Sequence, residues 1–345
     1  MSAWTELQKE LRAGPRRWLV TGAAGFIGSH LVERLLGLGQ EVTGLDNFAT
    51  GRPSNLEAVR RAVGEEAWSR FRFLEGDIRR PEDCARAGEG AEFVLHQAAL
   101  GSVPRSIRDP RSTHEANVDG FFHIAQAAHA AGARSFVYAS SSSVYGDHPE
   151  LPKREDRIGR PLSPYAASKR VDEVYAEALA RTWSLPFTGL RYFNVFGPRQ
   201  DPEGPYAAVI PAWLRALTEG EPVRIHGDGE QSRDFCPVAN VVQANLLAAC
   251  RREPAARVYN VALGGRCSLL ELFAALQAEL RRLGFTIQTA EPVFGKPRPG
   301  DVRHSQADIR RIREELGYAP EVDFLQGLRI TVEAFAGPPC RARED

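Results

Sequence analysis

The segment Trp18-Leu-Val-Thr-Gly-Ala-Ala-Gly-Phe-Ile-Gly28 constrains this chain more than any other. A short apolar run of strand character meets three glycines, Gly22, Gly25 and Gly28, and the apolar period then becomes helical from Phe26 to Leu38. Glycines so spaced permit a tight turn, close approach of backbone N–H groups to a pyrophosphate, and close packing of helix on strand. The helix N-terminus adds a preference for anions. Glycine-rich turns also occur without a ligand, so context decides. A second strand, starting at Glu41, ends at Asp46, 18 residues past Gly28. A carboxylate there accepts both hydroxyls of an adenine ribose and repels a 2′-phosphate, so NAD is expected rather than NADP. Gly76-Asp77-Ile78 closes a third strand where the adenine would lie, although an acid in that place also serves as a plain cap.

The alternation continues. Phe71 to Leu74, Phe93 to Leu95, Ser135 to Ala139 and Phe187 to Leu190 are short enough for buried parallel strands, with helical candidates at 117–131 and 165–182. The pattern predicts an α/β fold, a Rossmann-like doubly wound parallel sheet with a smaller α/β substrate-binding domain. Beyond Asn194, Gly-Pro and Asp-Pro pairs interrupt the alternation and mark an insertion. Val238 to Cys250 reads as a helix and Arg257 to Val261 as a strand, so the chain revisits its first domain. Ser268 to Leu283 is a helix opened by a Ser268/Glu271 capping box. Residues 1–193 with 236–263 form the expected NAD-binding domain, 194–235 with 264–336 the substrate domain, and 337–345 a disordered tail. Met1 to Gly14 reads as a short amphipathic helix rather than a signal peptide.

Charge and cysteine usage exclude other classes. The 345 residues carry 44 basic and 44 acidic side chains, with no basic block to hold nucleic acid or an anionic membrane surface. No apolar run reaches the roughly 18 residues of a membrane span. Five scattered Cys without a CxxC pair suggest neither a disulfide framework nor a zinc site, and fit a reducing, cytoplasmic location. Eight His without an HExxH pattern point to no metal.

The cations are nearly all arginine, with four lysines only: Lys9, Lys153, Lys169 and Lys296. One falls in Tyr165-Ala-Ala-Ser-Lys169, on a helix that Pro164 opens. Chance would place about 0.1 such Tyr/Lys pairs at helical-neighbour spacing in a chain of this composition. The spacing sets the ammonium on the helix face of the phenol, where its charge favours phenolate. Arginine's planar fork is no substitute for that compact head. A fifth strand ends in Ser140-Ser141-Ser142-Ser143, hydroxyls at the carboxyl edge where doubly wound sheets bind ligands, and one of them is expected to share a substrate proton with Tyr165.

These residues resemble the extended short-chain dehydrogenase/reductase family over nearly the whole chain. Gly22-x-x-Gly25-x-x-Gly28, Ser-Ser-Ser-Val-Tyr-Gly, Tyr-x-x-x-Lys and Arg191-Tyr-Phe-Asn-Val-Phe-Gly197 stand in the family's order. Within it the chain is most similar to bacterial UDP-N-acetylglucosamine 4-epimerases of surface-polysaccharide synthesis, through Leu45 to Gly51, His96 to Arg105 and Gly300 to Ser305.

The resemblance implies reversible C4 epimerisation of UDP-N-acetylglucosamine and UDP-N-acetylgalactosamine, with UDP-glucose and UDP-galactose as further candidates, through a 4-keto sugar and tightly bound NAD that is not consumed. Tyr165 would take the proton of the sugar 4-hydroxyl, Ser141 would be the catalytic hydroxyl, and Lys169 would also hold the nicotinamide ribose. Implied cofactor contacts are Gly22, Gly25, Phe26, Ile27, Gly28, Asp46, Asn47, Gly51, Asp77, Ile78, Gln97, Ala98, Ala99, Asn117, Tyr165, Lys169 and Tyr192. Implied sugar-pocket residues are Gly101, Ser102, Ser142 and Ser143, with Ala208 and Val209 on the far wall. Arg233 and Arg298 would grip the diphosphate, Asn194 its end and Asp301 a uridine ribose, arginine forks being suited to phosphate. Ser305 is small where relatives restricted to plain hexoses carry Tyr, leaving room for an N-acetyl group. A homodimer through the helices at 117–131 and 165–182 is implied as well.

Three other readings compete with this one. Dehydratases and decarboxylases carry acids where this chain has Ser142 and Ser143. UDP-glucuronate 4-epimerases share the serine run, while Arg199-Gln200-Asp201 and Tyr206 to Val209 look like the acetylated-sugar type. A non-catalytic NAD-binding regulator would be expected to lack the Tyr/Lys pair or the serine loop, and both are present.

Overall fold

Short strands apolar on both faces need cover on both sides. Along Arg17–Thr21, Trp18 and Val20 enter one core while Leu19 enters another, and in Ser135–Ser141 Val137 faces opposite to Phe136 and Tyr138. A computed structural model describes residues 2–203, 207–250, 256–288, 291–296 and 302–337. Its main sheet has seven parallel strands: Phe71–Glu75, Glu41–Asp46, Arg17–Thr21, Phe93–His96, Ser135–Ser141, Phe187–Tyr192 and Arg257–Val261, in that spatial order. The order reverses between Arg17–Thr21 and Phe93–His96, which opens a crevice at their carboxyl ends. Helices Phe26–Gly37, Pro53–Trp68 and Val238–Cys250 cover one face. Helices Pro81–Gly88, Gly120–Ala130 and Pro164–Trp183 cover the other.

The strand Arg257–Val261 completes this sheet beside Phe187–Tyr192, so the chain does return to it after residue 194. The segments before and after that strand carry small strand pairs and the helices Val209–Glu219, Leu269–Arg282 and Phe324–Ala336, packed on a third apolar core that includes Trp213, Phe235, Leu272, Leu276 and Leu328. Ser268 and Glu271 form the expected capping box. At the N-terminus the helix Ala3–Ala13 is docked through Trp4, Leu7 and Leu11, and Trp4 Nε1 donates to Glu321 at 2.8 Å. The region read as one helix over 117–131 differs in detail: a π-helical turn, Glu115–Asp119, precedes Gly120–Ala130. The side chain of Asn117 in that turn bonds both backbone groups of Leu100 and the Ser168 hydroxyl. Residues 338–345 of the expected tail lie outside the described residues.

A buried polar chain ties the sheet to the helix Pro164–Trp183. Glu173 on that helix accepts both arms of the Arg191 fork, at 2.8 and 2.9 Å, and the Ser140 hydroxyl at 2.7 Å. Burial pushes the Glu173 carboxyl up, but Arg191, Ser140 and Arg170 together outweigh it and hold the carboxyl below its ordinary range. Arg191 donates onward to the Tyr145 hydroxyl, and Tyr145 to Asn260 at 2.6 Å. Removing one partner of such a pair strands a buried charge. Arg191→Met is therefore expected to cost about 3–5 kcal/mol, read as a lowered urea midpoint; an unmoved midpoint would show that the chain of bonds is dispensable.

Candidate active site

Gly22 adopts φ +67°, and a Cβ there would meet Ala98 N at 2.9 Å. A Cβ on Gly28 would collide with the Gly22 carbonyl. Only glycine lets the turn fold this tightly against the start of Phe26–Gly37, whose first residues have no side-chain cap. Asp46 braces the same turn: Oδ2 accepts from Ala24 N at 2.9 Å and Oδ1 from Phe48 N at 2.8 Å. Burial raises its pKa against those N–H donors. Gly51 packs on this carboxylate, 2.8 Å from any Cβ built there.

Asp77 is gripped by the Arg79 guanidinium and by Asn47 Nδ2, and the Arg79 bonds hold it down at about 2, against burial. Tyr192, Gln97 and Asn245 close a triangle of hydrogen bonds of 2.9, 2.9 and 3.1 Å at the other end of the crevice. A cavity of about 690 Å³ is lined by Gly22, Gly25, Phe26, Ile27, Gly28, Asp46, Asn47, Asp77, Ile78, Gln97, Ala98, Ala99, Gly101 and Tyr192, whereas Gly51, Asn117 and Asn245 lie behind that lining and reach it through Asp46, Leu100 and Gln97. Ser141, Tyr165 and Lys169 line the same cavity.

Tyr165 and Lys169 stand on the first turns of Pro164–Trp183, where Ser163 caps Ala166 N at 3.1 Å and Pro164 opens the helix as expected. Lys169 Nζ donates to Asp172 Oδ2 at 3.2 Å, both side chains being almost wholly buried. The four serines part company. Ser140 turns to Glu173, while Ser141 Oγ accepts from the Ser143 N–H and hydroxyl at 3.1 and 2.9 Å. Ser142 and Ser143 form a 3₁₀ turn and are not among the residues lining the cavity. Ser102, at φ +100°, caps the helix Val103–Arg108 rather than forming a wall.

A second cavity of about 380 Å³ contains Asn194, Ala208, Val209 and Arg233, together with Trp213, His226 and Phe235, which sequence reading did not single out. The two cavities share Val195 and Gln200. Arg233 Nη1 donates to the Ser232 and Arg303 carbonyls at 3.0 and 3.2 Å. Ser305 N–H donates to the Ser232 carbonyl at 3.0 Å, beside Arg233 in sequence but not lining either cavity. Arg298, Asp301 and Tyr206 lie outside the described residues. The buried Asp234 collects the N–H groups of Leu263, Gly264 and Ala307, joining the segments that flank the second cavity, and burial pushes it up to about 6. Arg79, Asp172, Asn245 and Asp234 carry no motif signal in the sequence, and their partners are brought to them by the fold.

Among the described residues no group of His, Cys, Asp and Glu is placed to hold a metal ion, and no helix is long and apolar enough to cross a membrane. Residues 18–262 match the model of the NAD-dependent epimerase/dehydratase family. A UDP-glucose 4-epimerase of Mycolicibacterium smegmatis is 40% identical over 324 residues, 92% of this chain and 98% of that one. The solved UDP-N-acetylglucosamine 4-epimerase of Methanobrevibacter ruminantium, in complex with UDP-N-acetylmuramic acid, superposes with a TM-score of 0.84 at 36% identity, covering 93% of this chain and 98% of its own. The UDP-glucose 4-epimerase of Thermus thermophilus in complex with NAD gives 0.80 at 35%, covering 93% and 99%.

The glycine turn generates a direct test. In Gly28→Ala the added methyl must displace the Gly22 carbonyl, at a cost of about 1–3 kcal/mol. NAD retained through purification is expected to fall about tenfold or more; a full complement of NAD in this variant would remove the turn from the cofactor site.

Proposed function

The chain belongs to the NAD-dependent epimerase/dehydratase family, and from that premise we propose that it is a UDP-sugar 4-epimerase acting on UDP-N-acetylhexosamines, with the plain UDP-hexoses as slower substrates. The observation that carries this reading is the convergence of Tyr165, Lys169 and Ser141 on the cavity that begins at the glycine turn, which shares Val195 and Gln200 as wall with the pocket of Asn194 and Arg233. The cradle at Gly22 and Gly28, which a Cβ would fill, and Asp46 beside it fit NAD with its pyrophosphate on the helix N-terminus. When bound, NAD supplies a hydride acceptor that later returns the hydride.

The chain's own residues do the rest. The Tyr165 phenolate takes the proton of the sugar 4-hydroxyl as C4 becomes a carbonyl, and returns it once the flat 4-keto sugar has turned over. Lys169 stabilises the phenolate electrostatically from one helical turn away. Ser141 donates to the sugar oxygen and keeps it aligned with Tyr165. Firm grip belongs at a distance from the reacting carbon, so that the sugar is free to turn. Asn194 and Arg233 are suited to the diphosphate, and the aromatic wall of Trp213, His226 and Phe235 to the uracil. Ser305 lines neither cavity but donates its N–H to the Ser232 carbonyl next to Arg233, and a short side chain at that place leaves room for an N-acetyl group near the second cavity.

The helix Pro164–Trp183 leaves Val174 and Tyr175 51% and 42% exposed, and Ile107 and Leu162 are exposed too. These apolar side chains support a homodimer through this helix, to be seen in light scattering as twice the 38.0 kDa chain mass; a monomer at micromolar concentration would remove it.

Purified protein given UDP-N-acetylglucosamine, UDP-glucose or UDP-glucuronate without added NAD is expected to invert C4 of the first fastest, with products resolved by NMR. Preference for UDP-glucuronate would transfer the assignment to that sugar, and no inversion of any would end it. Tyr165→Phe is expected to lower kcat by about 10²–10⁴. Ser305→Tyr should lower the kcat/KM ratio of acetylated to plain sugar, and an unchanged ratio would dismiss the gate.

A further inference from the structure

The mechanism above makes no use of a buried acid that touches one of its own residues. Asp172 lies on the inner face of Pro164–Trp183, its side chain 1% exposed, with Oδ2 on Lys169 Nζ and Oδ1 without any hydrogen-bond partner. A buried ion pair adds little stability over well-packed apolar residues, and an unsatisfied carboxylate oxygen adds less. Packing alone therefore gives no reason for an acid at this place.

We propose that Asp172 is a positioning residue for the Tyr165/Lys169 pair: its carboxylate, 3.2 Å from Nζ, holds the ammonium on the inner side of the helix and couples that charge to a third proton site. The proposal rests on the epimerase reading for its consequence in catalysis, and on the geometry alone for the coupling itself. Lys169 stands between two acids on its own helix, Tyr165 one turn before it and Asp172 three residues after.

The surroundings leave Asp172 as the group that titrates near neutrality. Burial pushes its carboxyl up to about 7, the Lys169 charge and hydrogen bond pull it down, and Glu173 pushes it further up. Glu173 itself stays ionised, engaged by Arg191 and Arg170. From the strand Ser135–Ser141, Tyr138 stays neutral because burial, then Glu173 and Asp172, push its phenol up. From the strand Phe93–His96, His96 stays neutral because burial and then Lys169 hold it down at about 3, with Thr21 Oγ1 at 2.8 Å from Nδ1. With Asp172 ionised, Tyr165 faces a neutralised Lys169/Asp172 pair; with Asp172 protonated, it faces an uncompensated cation.

Four lysines make the test simple. The full-length protein as purified, labelled with [¹³C,¹⁵N]-lysine, gives a Lys169 side-chain signal identified by its loss in Lys169→Arg. That signal is expected to pass through an inflection near pH 7 that is missing in Asp172→Asn. A signal unchanged between about pH 5.5 and 8.5 in the unsubstituted protein would overturn the proposal. In the kcat/KM profile, loss of one negative charge makes neighbouring acids ionise more readily, so both limbs in Asp172→Asn should move to lower pH by about one unit. A lowered plateau with unmoved limbs would reduce Asp172 to packing. Should the protein invert no nucleotide sugar, the functional reading falls, and the lysine titration still decides the coupling.

Discussion

The salt bridge between Glu173 and Arg191 is the interaction on which the rest of this site depends. It joins the helix that carries Tyr165 and Lys169 to the strand Phe187–Tyr192, and through Ser140 to the strand that ends at Ser141. A helix packed by apolar contacts alone has freedom to slide or rotate by a fraction of a turn, since dispersion is not directional. A bidentate fork does not have that freedom. The Arg191 to Tyr145 to Asn260 chain continues the constraint, and Asn260 Nδ2 donates to the carbonyls of Lys153 and Asp308. The helix Pro164–Trp183 and the segment that leads away from Ser305 are thus fastened to one buried polar spine.

Carboxylates do two kinds of work around the crevice. Asp46 both lines the cofactor cavity and accepts the N–H of Ala24, so the acid suited to the ribose also shapes the turn suited to the pyrophosphate. Asp234 does the equivalent on the substrate side, where three backbone N–H groups converge on it. Asp172 differs from both, because its partner is the ammonium beside the proposed base and its second oxygen is unmet.

Much of this is legible in the sequence. Strands and helices with a strong apolar period were readable because the period is local, and the glycine turn because glycine spacing has few other uses. Gly22, Asp46, Ser141, Tyr165 and Lys169 do meet at one cavity. The serine run was readable as a group but not by member: Ser140 turns inward to Glu173 and Ser143 bonds Ser141, a division set by one residue of strand phase. Lys153 had no visible role, yet it is buried, its ammonium on the His148 carbonyl and its backbone bridging to Gln306 and Asp308. A charged residue is by default a surface residue, so nothing in its neighbours announces burial.

The sequence by itself determined the strands of the sheet and the glycine turn, because each follows from spacing along a few consecutive residues, and it carried the motifs by which the chain resembles its family. Only the tertiary structure decided which charges are buried and with whom: Glu173 with Arg191, and Asp172 with Lys169. Even the pair close in sequence owes its strength to burial, which removes the water that would otherwise screen it, and burial is created by elements that arrive from far along the chain.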